Sequence, residues 1–174
     1  GFAANQVFEL SRPLDSRNVK TQTGGGGLRL PFIEGDHAIR EANRIFGFGL
    51  WDRRIEELVP VAEIEEESGG GKRWRVTIRA QVQIIVQVPD AEEAICREGV
   101  GFGHGNAQNL GEAHEAAARE AETDAMKRAL MTFGNQFGLG LCEQCQTEAE
   151  VEVDECNPPR PRDCGTPLKG TGGL

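Results

Sequence analysis

The side chains best placed to do chemistry in this sequence are cations at helical spacing. Arg119, Thr123 and Lys127 recur at i, i+4 and i+8 in an alanine-rich stretch, with Arg128 about 100° further round the same helix. Such a stripe attracts phosphate. Glu115 precedes Arg119 by four and Asp124 precedes Arg128 by four, the orientation that favours ion pairs within a helix. Exposed pairs of this kind are worth only about 0.3–0.5 kcal/mol, so a phosphate competes with them. A second set, Arg73, Arg75 and Arg79, shares the polar positions of an alternating segment. A turn centred near Gly70 puts Glu67 opposite Arg73, Glu65 opposite Arg75 and Val61 opposite Arg79, which makes Arg79 the freest of the three.

Catalytic signatures are missing from the sequence. His37, His104 and His114 belong to no HExxH or Cys-His pattern, and the glycines at 24–27 lack the Gly-Lys-Ser/Thr ending of a phosphate loop. The segment GVGFGHGN (99–106) does not satisfy GxGxxG and reads as a tight turn between a strand and a helix. The chain is therefore expected not to be an enzyme, and no cofactor is expected. Cys142, Cys145, Cys156 and Cys164 form C-x2-C-x10-C-x7-C, whose first pair has the spacing of zinc ligands. Two readings stay open there: a small structural zinc site, or four unliganded thiols on a tail.

The elements that must hold these residues are legible from periodicity. From 73 to 88 the even positions run Trp74, Val76, Ile78, Ala80, Val82, Ile84, Val86 and Val88. Strict alternation of that length means an antiparallel strand with one buried face. The turn SGGGK (68–72) joins it to a strand of about 51–66, and a third strand is expected at 94–102. A long helix follows, with Asn109 as N-cap, no glycine from 112 to 133 and Gly134 as its stop; its many alanines allow close approach to the sheet. Upstream, 28–33 reads as a short strand, 36–46 as a short helix, and 1–23 as an arm with little periodicity. The predicted fold class is α+β: a three-stranded antiparallel meander packed on a long helix, with an extra short strand and helix. The expected boundaries are an arm at 1–23, one domain at 24–141 and a tail at 142–174.

The chain has 174 residues and a formal net charge of −9, which by itself argues against a nucleic-acid partner. Distribution weakens that argument. Segments 56–67 and 143–155 each hold six acids and no base, and what remains carries 19 basic against 16 acidic residues. No apolar run approaches the roughly 20 residues of a membrane span. The first residues show neither a basic n-region nor an apolar h-region, so the sequence reads as soluble, cytoplasmic and, for a DNA binder, nucleoid-associated.

Three blocks, FIEGDHAIREANRIFGFGLW (32–51), EGVGFGHG (98–105) and TDAMKRALMTFGNQFG (123–138), together resemble the annealing domain of the Rad52 single-strand annealing family. The likeness covers about 17–141 and is strongest toward bacterial or phage members, in which a Val-Lys pair precedes the glycines, as Val19-Lys20 does here. The resemblance implies a βββα core, a homo-oligomeric ring, and a basic groove that holds single-stranded DNA by its backbone, without nucleotide hydrolysis. It implies Lys127 and Arg128 as the main contacts, Arg119 and Thr123 on the same helix, and Lys20 and Phe32 on the opposing wall. Arg79 is a further candidate from the strand. Met131 and Gln22 stand where the family often has arginines, and the outer basic site of eukaryotic members finds only Gln108 and an apolar 84–88 stretch. A recombinase or a single-strand-binding protein is the expected partner if the acidic segments act in recruitment.

Overall fold

A computed structural model of the chain describes residues 1–89 and 91–141. The order is α1 (Ala4–Ser11), β1 (Lys20–Thr23), β2 (Arg29–Phe32), α2 (Gly35–Phe46), β3 (Trp51–Ser68), β4 (Gly71–Val86), β5 (Ile95–Ala107) and α3 (Leu110–Met131). Strands β1 and β2 form a small antiparallel hairpin, and β3-β4-β5 form an antiparallel meander with β4 in the centre. This is the α+β arrangement expected from the sequence. The four cysteines proposed for zinc lie outside the described residues, and among the described residues no group of three potential metal ligands gathers. Among them, too, no helix is long and apolar enough to cross a membrane.

Alternation in β4 does what its pattern requires. Val76, Ile78, Ala80, Val82, Ile84 and Val86 are buried to 4% exposure or less, facing α3. The turn before β4 is tighter than expected, because Ser68 pairs with Gly71 and only two residues remain outside the ladder. The register therefore moves by one: Arg73 faces Glu66, Arg75 faces Ile64 and Lys72 faces Glu67. Two irregularities, between Ile55 and Glu57 and between Pro60 and Ala62, shift β3 again. Pro60 has no N–H to give a ladder, and such sites gather at edges and bulges. Arg79 consequently faces Val59 rather than Val61.

The expected turn at 99–106 is a strand instead. β5 runs on to Ala107, and Gly99, Gly101, Gly103 and Gly105 all point at α3. A methyl group at any of them would run into helix backbone: at Ala125 for Gly99 and Gly101, Ala117 for Gly103 and Ala113 for Gly105. The helix answers with Ala113, Ala117, Ala121, Ala125 and Ala129, each with no exposed surface. Two residues of strand span about 6.8 Å and four residues of helix about 6.0 Å, so the two rows stay nearly in step. Asn109 caps α3 as expected, accepting from Gly111 N at 2.8 Å and Glu112 N at 3.2 Å.

Residues 1–23, expected as an arm, pack onto the domain. Phe2 stacks on Phe46 at 5.8 Å between ring centroids, Leu10 is 5% exposed, and Gln6 Nε2 donates to Ile45 O at 3.1 Å. The segment after α3 returns the contact, with Gln136 Nε2 donating to Arg12 O at 2.9 Å and Asn135 Nδ2 to Ser11 O at 3.0 Å. Glu9 bridges α1 to α2 through Arg44 at 2.7 Å.

Two predictions follow from this packing. Gly103→Ala will lower the free energy of urea unfolding by about 3 kcal/mol, at the severe end for overpacking, because helix backbone blocks the added methyl. Gly69→Ala, which meets nothing within 4 Å, will stay within about 0.5 kcal/mol of the parent. For pH, Arg44 and then Arg12 beside Glu9 hold its carboxyl below the ordinary 4.5. A lowered carboxylate stabilises the fold above its unfolded pKa and stops doing so as pH falls through its folded one. The melting-temperature gap between the parent and Glu9→Gln will therefore be constant above pH 4.5 and close below it.

Candidate nucleic-acid interface

The glycine contact sets the azimuth of α3. With Ala125 and Ala129 pinned against β5, Thr123 and Lys127 face away from the sheet, toward β2 and the start of α2. A methyl at Gly35 would lie 2.7 Å from Thr123 Cγ2, so the first turn of α2 sits directly on α3. Between them opens a cleft of about 490 Å³ lined by Phe32, Glu34, Asp36, Arg53, Thr123 and Lys127 among others.

Lys127 stands in this cleft with its Nζ 5.5 Å from the centre of the Phe32 ring and 3.3 Å from Ile33 O, to which it donates. No carboxylate among the described residues is within 4.0 Å of it, a state it shares with Arg29, Arg54, Arg73 and Arg97, whereas the other described lysines and arginines are ion-paired. Lys20 pairs across the small hairpin with Phe32, and its Nζ reaches Glu34 Oε1 at 2.7 Å. The structure thus brings Lys20, Phe32, Thr123 and Lys127 to one place.

The remaining candidates diverge. Arg128 lies about 100° round the helix from Lys127, and its Nε donates to Asp124 Oδ2 at 3.0 Å. That same oxygen accepts the β5 edge amide of Phe102 at 3.3 Å, so Arg128 is held on the β5 side of α3. Glu120 serves the next edge amide, His104 N, at 2.6 Å. His104 therefore sits in a strand and not in a glycine turn. Arg119 pairs with Glu115 and is 75% exposed, as the helix spacing anticipates. Thr123 Oγ1 donates to Arg119 O at 2.8 Å. Arg79 lies on the opposite face of the sheet and is not the freest of its set, since Glu57 binds it. Arg73 Nε donates to Asn106 Oδ1 at 3.0 Å, and Arg75 pairs with Glu66 at 2.8 Å. At 84–88, Ile84, Val86 and Val88 are core residues, so that stretch builds no outer surface with Gln108.

Arg53 is the cleft residue that sequence reasoning missed. Its guanidinium pairs with Glu122 at 2.7 Å and lies 3.6 Å from Met126 Sδ, closing the β3 side of the cleft. The two acids at the mouth are themselves occupied: Glu34 by Lys20, and Asp36 by Arg40, which holds the Asp36 carboxyl below its ordinary value. Of the four charged residues that line the cleft, Glu34, Asp36 and Arg53 are ion-paired, and Lys127 has no carboxylate partner among the described residues.

A three-stranded meander packed on a helix, with Lys127 and Phe32 set in a cleft on the helix's free face, is the architecture of this domain. The profile of the Rad52/22 family double-strand break repair proteins matches residues 4–159, and this chain belongs to that family. It is 32% identical over 137 residues to the DNA repair and recombination protein radC of Emericella nidulans, covering 78% of this chain and 22% of that protein. It is likewise 32% identical over 152 residues to the DNA repair and recombination protein rad22 of Schizosaccharomyces pombe, covering 86% and 30%. With the DNA repair and recombination protein RAD52 of Eremothecium gossypii the identity is 34% over 137 residues, covering 78% and 29%. The chain thus spans less than a third of the length of these relatives.

A double-mutant cycle will test the centre of the cleft. Phe32→Ala and Lys127→Ala will couple by about 0.5–1 kcal/mol in urea unfolding, the range of a partly exposed cation–π contact.

Proposed function

We propose that this chain binds single-stranded DNA through the cleft between β2 and α3 and anneals complementary strands, as a homo-oligomeric ring and without nucleotide hydrolysis. The observation that carries this reading is Lys127, a cation without a carboxylate partner among the described residues, backed by the face of Phe32 and flanked by Arg53 and Lys20. Fixed cations offset the repulsion between two phosphate backbones, and an aromatic face beside them accepts any base or sugar without reading sequence. Names of the relatives place them in DNA repair and recombination, which fits this chemistry.

Arg128 and Arg119 extend the contact along the helix once phosphate replaces Asp124 and Glu115 as their partner. Such exposed pairs are weak enough for that exchange. A second reading is a recombination mediator that recruits a recombinase or a single-strand-binding protein. The exposed Glu65, Glu66 and Glu67 at the far end of the β3–β4 hairpin favour it.

Annealing of complementary oligonucleotides, followed across a salt series, separates the two readings. The wild type will accelerate annealing, and Lys127→Ala/Arg128→Ala will not, while light scattering shows the same assembly for both. For binding, each phosphate contact removed will reduce the slope of log K against log salt by about 0.7. A wild type that binds no single-stranded DNA at low salt would overturn the annealing reading and leave the mediator.

A further inference from the structure

The cleft does not end at Arg53. Asp36, Ile39 and Asn43 recur at i, i+3 and i+7 on one face of α2. The first two line the cleft, whereas Ile39 and Asn43 line a second cavity of about 370 Å³, shared with Phe48, Trp51, Asp52 and Met126. Ile39, Arg53 and Met126 belong to both, so the two spaces are continuous. From Asp36 to Asn43 is about 10 Å along the helix axis, the length of one nucleotide from its phosphate to the edge of its base.

The second cavity differs from the cleft in chemistry. Phe48 is 86% exposed and sits in the turn between α2 and β3, where Gly47 takes a φ of 96° and Leu50 N donates to Gly47 O at 3.2 Å. Single exposed apolar residues are ordinary on a protein surface. This one lines a cavity together with Ile39, Trp51 and Met126. Trp51 Nε1 donates to Asn43 Oδ1 at 2.8 Å, which fixes the indole and leaves Asn43 Nδ2 without a partner among the described residues. Asp52 Oδ1 accepts from Arg53 N at 2.8 Å, while the Arg53 guanidinium goes to Glu122, so the Asp52 carboxylate forms no ion pair among the described residues. An aromatic face, a free N–H donor and a free carboxylate suit a flat neutral heterocycle; the carboxylate repels a phosphate and accepts from a ring N–H or an amino group. Every nucleobase carries both an acceptor and an N–H on its pairing edge, so such a cavity takes any of them.

We propose that the cavity bounded by Asn43, Phe48 and Trp51 is a nucleobase pocket. It takes one base of the strand whose phosphate lies at Lys127, stacked on Phe48 and with its pairing edge toward Asn43 and Asp52. The proposal rests on the DNA-binding reading of the cleft. Lys127 supplies attraction to the backbone, and the pocket supplies a fixed register between chain and strand. A base held there is withheld from pairing, while the bases beside it stay free to find complements.

The test uses the full chain and two labelled strands of equal length, an oligothymidylate and one built of abasic tetrahydrofuran units, which carry the same phosphates. Fluorescence anisotropy at low salt reads the affinity for each. The wild type will bind the oligothymidylate about tenfold tighter than the abasic strand, what one base–aromatic contact supplies. Phe48→Ala will lose that preference and keep the affinity for the abasic strand, and Phe48→Trp will restore it. Lys127→Ala will weaken both strands and preserve their ratio. Stacking beside Trp51 adds an optical readout: oligothymidylate will quench the indole fluorescence, the abasic strand will not, and Trp51→Phe will abolish the difference.

A wild type that binds both strands equally overturns the pocket and leaves the backbone contact standing. So does a Phe48→Ala chain that keeps the tenfold preference. Equal weakening of both strands by Phe48→Ala, with a change of assembly in light scattering, makes Phe48 a contact between copies and likewise overturns the pocket. A wild type that binds neither strand brings down the DNA-binding reading and the pocket with it.

Discussion

The contact on which the rest of this structure depends is the one with the least side chain in it. Along β5 every second residue is glycine, and along α3 every fourth is alanine, so strand and helix backbones approach to a distance no larger residue allows. Dispersion contacts are individually small, but a continuous row of them at full packing density tolerates no added atom. The row also fixes rotation. Because Ala113 to Ala129 must face the glycines, the side chains half a turn away have one direction available, and that direction is the cleft. Close approach has a second effect at the sheet's edge, where Asp124 and Glu120 reach the amides of Phe102 and His104 directly from the helix. With these two donors taken, the middle of β5 is a poorer template for another strand.

Electrostatics in the cleft follow from pairing rather than from net charge. A protein at −9 holds nucleic acid only if its cations are locally unopposed where the backbone passes. Among the described residues most of them are opposed: Arg44 by Glu9 and Glu41, Arg79 by Glu57, Arg75 by Glu66, Lys72 by Glu65. These pairs organise the α1–α2 contact and the β3–β4 hairpin and withdraw those charges from the field around the molecule. Lys127 rests on a ring and a carbonyl, neither of which cancels its charge, and Arg97 does the same over Phe133 and Cys96 O. Of these two, Lys127 is the one that stands in the cleft.

Much of this was legible in the residues. Alternation in β4, the alanine helix with its Asn109 cap, and the i, i+4 row ending at Lys127 each rest on a side-chain period, and each stands in the structure. Where the side chain carries no signal, reading failed. Gly99 to Gly105 resemble a turn because glycine breaks elements more often than it builds them. The cue was relational: glycines two apart in one segment and alanines four apart in the next have nearly equal repeats, and only together do they specify a packed pair. Arg53 was hidden for another reason. A turn centred on Gly70 would set it opposite Gln87 on the polar face, whereas the tighter turn and the two irregularities in β3 together shift the register by three and set it opposite Ile84, and each one-residue slip changes the side of the sheet. The missed order in residues 1–23 comes from contacts with Phe46, Phe133 and Gln136, all remote in sequence.

Fold and site share α3 but not the same side of it, and this separates what each demands. Positions facing β5 accept only glycine on the strand and alanine on the helix, whatever the protein binds. Positions outside that contact are freer, so Met131 and Gln22 can stand where the resemblance implies arginines without disturbing the glycine row. Met131 is only partly buried and Gln22 is exposed on the small hairpin, outside the glycine contact. A change of charge at either place leaves the direction of Lys127 untouched, because that direction is set from the far side of the helix.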